Sequence, residues 1–412
     1  MSKSSLDERN QKRKIRKISL LIVSIVITTI ILTTETYAWF VGLSEVSVND
    51  MTISISSVDG LELSLDANTW SSSTLSISQS AITTNINSSY SGHKNKWVST
   101  STGAGLVPIS SSGIIQSPSG RLEIYGKSSM NSTAGGYNVV ASKISNTSTE
   151  ADGYVAFDLF IRNGKNGTYD ATNYTDDMGE AIYLTTTSIA KVSSAGQATD
   201  NGIANSLRVA FIRIGMVSSS ATKAEAQGIT CSTATGVTPL CSFSDAIIWE
   251  PNDKSHNATL VTNFNNKFCV KRTGATTYSG ACTPQALNPV DLSNDGTAAA
   301  LANNKYYQTY TVNKAISGSN QVGVYDGLNS YTGKIGDTNF LKATNTFTDT
   351  EKNLTGDSRP ILFKLVAYSI TKVRVYIYLE GQDVDNYDLI TKGKSIDVKF
   401  GFTKDKYNIS ST

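Results

Sequence analysis

Histidine is nearly absent from this 412-residue sequence, which has only His93 and His256. A Ser-His-Asp or Cys-His device would have to use one of them, and neither stands near a nucleophile elbow. Glycine-rich phosphate loops are missing as well, with no G-x-G-x-x-G between strand and helix and no Walker pattern. These gaps exclude most cofactor enzymes. Charge is also scarce, at 17% of residues. Seven basic and two acidic side chains in the first seventeen residues give a net five positive charges, so the rest of a chain of formal charge +2 is three charges negative. Such a body has no electrostatic footprint for nucleic acid. Helix formers are few beyond the N-terminal region, while Ser, Thr, Asn and Gly abound. That suits strands with polar outer faces and long solvated loops.

Long hydrophobic runs are limited to one, which opens at Ile18 and closes at Leu32 without charge or proline. As a helix it spans about 22 Å, and carried on to Phe40 it reaches the roughly 30 Å of a bilayer core. Glu35 then falls near the outer interface, with Tyr37, Trp39 and Phe40 where an aromatic belt is expected. The basic flank predicts residues 1–17 as a cytoplasmic tail, 18–40 as the membrane segment and 41–412 as the extracellular part. A charged region, an apolar region and a small residue are equally the parts of a signal peptide, with cleavage after Ala38 and before Trp39. The segment is thus read as an anchor or a cleaved signal, and the membrane as the first partner.

Only four cysteines occur, Cys231, Cys241, Cys269 and Cys282, and outside a cell they are expected to pair. Three connectivities are open. Local pairing, Cys231 with Cys241 and Cys269 with Cys282, would close two short loops worth roughly 3 kcal/mol each. The spacings do not suit zinc, since no two cysteines lie two to four residues apart.

Period-two alternation marks the rest. Met51, Ile53 and Ile55, a turn at Asp59-Gly60, then Leu61, Leu63 and Leu65 read as a β-hairpin. Further strands are predicted over 154–162, 181–184, 207–216, 361–370, 373–380 and 395–402, with a turn at Thr371-Lys372. In VRVYIYLE, Val373, Val375, Ile377 and Leu379 take a core face and Arg374, Tyr376, Tyr378 and Glu380 the opposite one. Residues 217–320 break the pattern and read as an irregular, disulfide-bearing insertion with a short helix near 298–302. Without helical crossovers, the expected body is mainly β, an antiparallel β-sandwich of jelly-roll-like form.

Candidate sites are few. Glu380, Asp383 and Asp385 at a strand end have the oxygen ligands for a structural Ca²⁺, the one cofactor the sequence suggests. Glu250, Asn252 and Asp253 form a second such cluster. Trp249, Tyr376 and Tyr378 are candidates for a carbohydrate or protein contact surface.

The stretch Thr36-Tyr37-Ala38-Trp39-Phe40, between an apolar segment and a β-rich body, resembles the processing region of the TasA and camelysin type of bacterial surface and biofilm-matrix proteins. The resemblance covers about forty residues. It implies export from a Gram-positive-like cell, cleavage by a dedicated signal peptidase near Ala38, a jelly-roll-like body and assembly into fibres. The expected function is therefore a non-catalytic, exported structural or adhesive protein of the cell surface or matrix. Homo-oligomers or other surface components would be its partners, and residues 39–51 a donor strand for polymerisation. The alternatives are a tethered ectodomain that binds glycan or protein and an extracellular glycoside hydrolase using carboxylates such as Glu250 and Glu380.

Overall fold

A computed structural model describes residues 46–55, 60–78, 106, 108–111, 113–133, 136–143, 154–192, 203–252, 310–312, 321–323, 341–343, 346–349, 351–380 and 394–406. Among these residues the chain is mainly β, with antiparallel pairing dominant and few helices.

Two sheets dominate. The six-stranded sheet runs in the order β19 (Phe363–Leu365), β10 (Glu180–Leu184), β21 (Lys394–Thr403), β1 (Val46–Ile55) and β3 (Thr74–Ile77), with β11 (Ile189–Val192) also on β21. The eight-stranded sheet runs β18 (Thr346–Thr348), β14 (Ile247–Glu250), β12 (Leu207–Ser218), β20 (Ser369–Glu380), β9 (Val155–Asn163) and β2 (Leu61–Ser64). In that sheet β13 (Thr238–Pro239) pairs with β12, and β4 (Pro108–Ile109) with β20. Three small sheets hold β5 (Ile115–Gln116) with β6 (Arg121–Leu122), β7 (Tyr125–Thr133) with β8 (Gly136–Lys143) and β16 (Gln321–Gly323), and β15 (Tyr310–Val312) with β17 (Leu341–Ala343).

The strongest alternation produces the central strands. Val155, Phe157, Leu159 and Ile161 of β9, Leu207, Val209 and Phe211 of β12, and Val373, Val375 and Ile377 of β20 belong to one buried cluster with Phe363, Phe400 and Phe402 of the six-stranded sheet. Phe211 meets Phe400 and Phe402 edge-on, with ring centroids 5.4 and 5.9 Å apart, the spacing aromatic pairs prefer. One core thus draws on both sheets.

Three expectations need correction. The predicted hairpin is split between sheets: β1 pairs with β21 and β3, whereas β2 pairs with β9. Alternation marks both segments as strands, but a turn signal cannot say whether the chain folds back or crosses over. Nor is the pairing antiparallel throughout, since β1 lies parallel to β21. Finally, the strand predicted over 361–370 breaks after Leu365. Tyr368 takes a positive φ of 55°, its N–H donating to the Asn163 carbonyl at 2.6 Å. Beyond it β20 runs unbroken through Thr371 and Lys372, where a turn was predicted, because both side chains are buried inside the sheet.

Of the stretch 217–320, residues 310–312, which form β15, and the longer run 217–252 are described. Here β13 and β14 pair with β12, so this portion is built into the eight-stranded sheet. The short helix α1 (Lys223–Gln227) starts at a capping box, with Thr222 Oγ1 accepting from the Glu225 N–H and the Glu225 carboxylate from the Thr222 N–H. Residues 298–302 lie outside the described residues.

Candidate functional site

The second face of the eight-stranded sheet holds the densest buried chemistry. Cross-strand register places Arg208 opposite Tyr378, Ala210 opposite Tyr376 and Ile212 opposite Arg374, and Arg374 in turn opposite Asp158. Directly opposed residues share a face, so a charged stripe backs the apolar face that carries Phe211. A solvated stripe would be the ordinary outcome of alternation. Instead every residue of β20 is buried.

Asp158 is the hub. Arg374 Nε donates to its Oδ1 at 2.7 Å and Nη2 to its Oδ2 at 3.1 Å, a bidentate pair. Lys372 Nζ stands 3.4 Å from Oδ2. Burial by itself would raise the Asp158 pKa, but the charges of Arg374 and Lys372 outweigh it and hold the carboxyl below its ordinary value. For Lys372, burial lowers the pKa against the pull of Asp158.

Both cations also reach outward to irregular backbone. Lys372 Nζ donates to the carbonyls of Gln227 and Ile229, at 2.9 and 3.0 Å. Arg374 Nη1 donates to those of Ser119 and Gly120, at 3.0 and 3.2 Å. Loops over a buried sheet have carbonyls that no ladder satisfies. The sheet's cations satisfy these four. Tyr376 adds a fifth contact, its hydroxyl accepting from the Leu122 N–H at 3.3 Å, and its ring lies 5.3 Å from that of Tyr154. Gly120 takes a φ of 65°, and a Cβ there would lie 2.7 Å from Ile214 Cδ1 and 2.8 Å from Cys231 Sγ. Only glycine fits so close a turn.

Farther along the same face, Arg208 Nη2 meets Glu250 Oε1 at 2.7 Å with both side chains wholly buried. Burial first, and the Glu380 carboxylate next, push the Tyr378 phenol far above its ordinary pKa. Arg208 and Glu250 thus answer each other's charge. A carboxyl held low by a bidentate arginine is badly placed to give or take protons near neutrality. The arrangement is suited to fastening: it clips residues 119–122 and 227–229 onto the sheet.

The sequence-level candidates now have places. Trp249, Tyr376 and Tyr378, read as a contact surface, are all inside, at 0%, 0% and 1% exposure. Trp249 Nε1 donates to Asp349 at 3.3 Å, with the Lys352 ammonium 5.5 Å from the ring centroid. None of the three is available to a large ligand. Alternation marked the tyrosine face as outward, and a cover drawn from distant sequence buried it. Glu380 is buried at 1% exposure, while Asp383 and Asp385 lie outside the described residues. Glu250 is committed to Arg208, and Asn252 donates to the Ala190 carbonyl at 2.7 Å. Asp253 lies outside the described residues. Cys231 and Cys241 form a disulfide with Cα atoms 5.4 Å apart, and Cys269 and Cys282 lie outside the described residues. So do Ile18, Leu32, Ala38 and Trp39. Among the described residues no helix is long and apolar enough to cross a membrane. Sequence reading missed the Asp158, Lys372 and Arg374 cluster. Its signal was a charge in the middle of each of two strongly apolar strands, VAFDLFIR and TKVRVYIYLE.

Compared with protein-family models, with curated proteins and with solved structures, the chain matches none.

Proposed function

We propose that this is an exported, non-catalytic structural or adhesive protein of a bacterial cell surface or extracellular matrix, either held by its N-terminal segment or released by cleavage after Ala38. One observation carries the reading most: a chain with a basic tail and a lipid-length apolar run also has a disulfide between Cys231 and Cys241, the bond of an oxidising exterior. The body is read as a jelly-roll-like β-sandwich. Support for that finer description comes from Phe211 of one large sheet packing on Phe400 and Phe402 of the other.

Polymerisation by donation of residues 39–51 draws support from β1, which holds residues 46–51 of that segment, while residues 39–45 lie outside the described residues. Strand β1 lies between β21 and β3, so its departure would open a slot that a neighbour's β1 could fill. The test is N-terminal sequencing of the protein recovered from cells and from medium, with negative-stain microscopy of the mature form. A start at Trp39 means release and a start at Met1 or Ser2 means a tether. Intact chain dissolved in cytosol with reduced thiols would overturn the surface reading.

A further inference from the structure

We propose that the β1–β21 pair is a mechanical clamp, loaded in shear when tension passes through the body from one end of the chain to the other. This rests on the surface or matrix reading above, since a body joined to a surface or a matrix is one that gets pulled.

The first and last described strands are neighbours, and they run parallel. Val46 stands beside Lys394 and Ile55 beside Phe402, with eight registered pairs and one irregularity between Val48 and Met51. The ladder is about 30 Å long. Tension enters β1 at its N-terminal end and β21 at its C-terminal end. In a parallel pair those two ends lie at opposite ends of the ladder, so the strands are drawn past each other along their length. The evenly spaced bonds of a parallel ladder then bear the load together. An antiparallel pair would place the two loaded ends side by side and open bond by bond.

The surroundings reinforce this geometry. Neither strand is an edge: β3 pairs with the other side of β1 at 51–54, and β10 and β11 with the other side of β21. Phe400 and Phe402 of β21 also interlock with Phe211 of the eight-stranded sheet. Sliding β21 must drag both rings across that packing.

Single-molecule force spectroscopy on the full-length chain in detergent micelles tests the clamp. Held at its two ends, the body should rupture at a force about twofold or more above that measured between Asn68 and the C-terminus, where the load bypasses β1. The N–H groups of Ser47 and Val48 point to opposite edges of β1, so one of Ser47→Pro and Val48→Pro deletes a donor facing β21 and the other serves as its control. The variant that loses that donor should lower the end-to-end rupture force while leaving the Asn68 geometry unchanged, with far-UV circular dichroism confirming that the variant folds. Equal forces in the two geometries would overturn the clamp, as would proline variants that weaken both alike. A cytosolic chain that still shows the force difference would sink the surface reading alone, and a secreted chain without the difference would sink the clamp alone.

Discussion

The two faces of the eight-stranded sheet are built by the same alternation on the same strands, yet they are held by different forces. Toward the six-stranded sheet, Phe211 and its neighbours are stabilised by apolar burial, which is non-directional and tolerates rearrangement. On the other face Asp158, Lys372, Arg374, Arg208 and Glu250 are buried charges, tolerable only because each meets an opposite charge or a carbonyl. The first face can accept any regular sheet. The second can hold irregular backbone, because cations donate wherever a loop leaves a carbonyl without a ladder partner.

Perturbing each face in turn should separate the two kinds of holding. Phe211→Ala empties the aromatic junction and should cost about 3–5 kcal/mol in urea unfolding, while Phe211→Leu keeps most of the volume and loses much less. Arg374→Met should cost about 3 kcal/mol by leaving Asp158 buried with Lys372 as its remaining cation. Adding Asp158→Leu should recover much of that loss, as replacement of both partners does for other buried pairs. A double variant as unstable as the single one would mean that the carbonyl contacts, rather than the charge pair, dominate that face.

Acid sharpens the same comparison. The folded pKa of Asp158 is depressed below its ordinary 3.8. Its contribution is thus fully present above that value and is lost as pH falls through the folded pKa. The wild-type urea midpoint should therefore drop more steeply below about pH 4 than that of the Asp158→Leu/Arg374→Met variant. Parallel curves would remove Asp158 from the account.

Smaller effects are expected in the cover. Paired Cys231→Ser and Cys241→Ser substitutions release a loop with a sequence separation of 10 and should cost about 2–3 kcal/mol. Thr222→Ala removes the cap of α1, just ahead of the Gln227 and Ile229 carbonyls that hold Lys372, and should cost about 1 kcal/mol. A loss from Thr222→Ala as large as that from Arg374→Met would show the cover and the charged face to be one cooperative unit.

Much of the strand inventory was legible before the structure. Val155, Phe157 and Leu159 declared β9, and Val373, Val375 and Ile377 declared most of β20, because period-two alternation is a property of a strand whatever lies beside it. Reading Thr371-Lys372 as a turn failed for a definite reason. A lysine among polar neighbours looks solvated until its carboxylate is known, and Asp158 is more than two hundred residues away in the chain. The same blindness turned Tyr376 and Tyr378 outward. Leu122 meets the Tyr376 hydroxyl, and Gln227 and Ile229 meet Lys372 on the same face, from short strands and turns with no periodicity to announce them.

By itself, then, the sequence determined the residues with strand character, their division into two faces, the scarcity of imidazole and the single long apolar run, since each depends on composition or local spacing. Tertiary structure alone decided that β1 lies parallel to β21 rather than folding back on β2, and that the charged face is an interior. Both depend on contacts between residues far apart in the chain, and local propensity is the same whichever partner a strand finds.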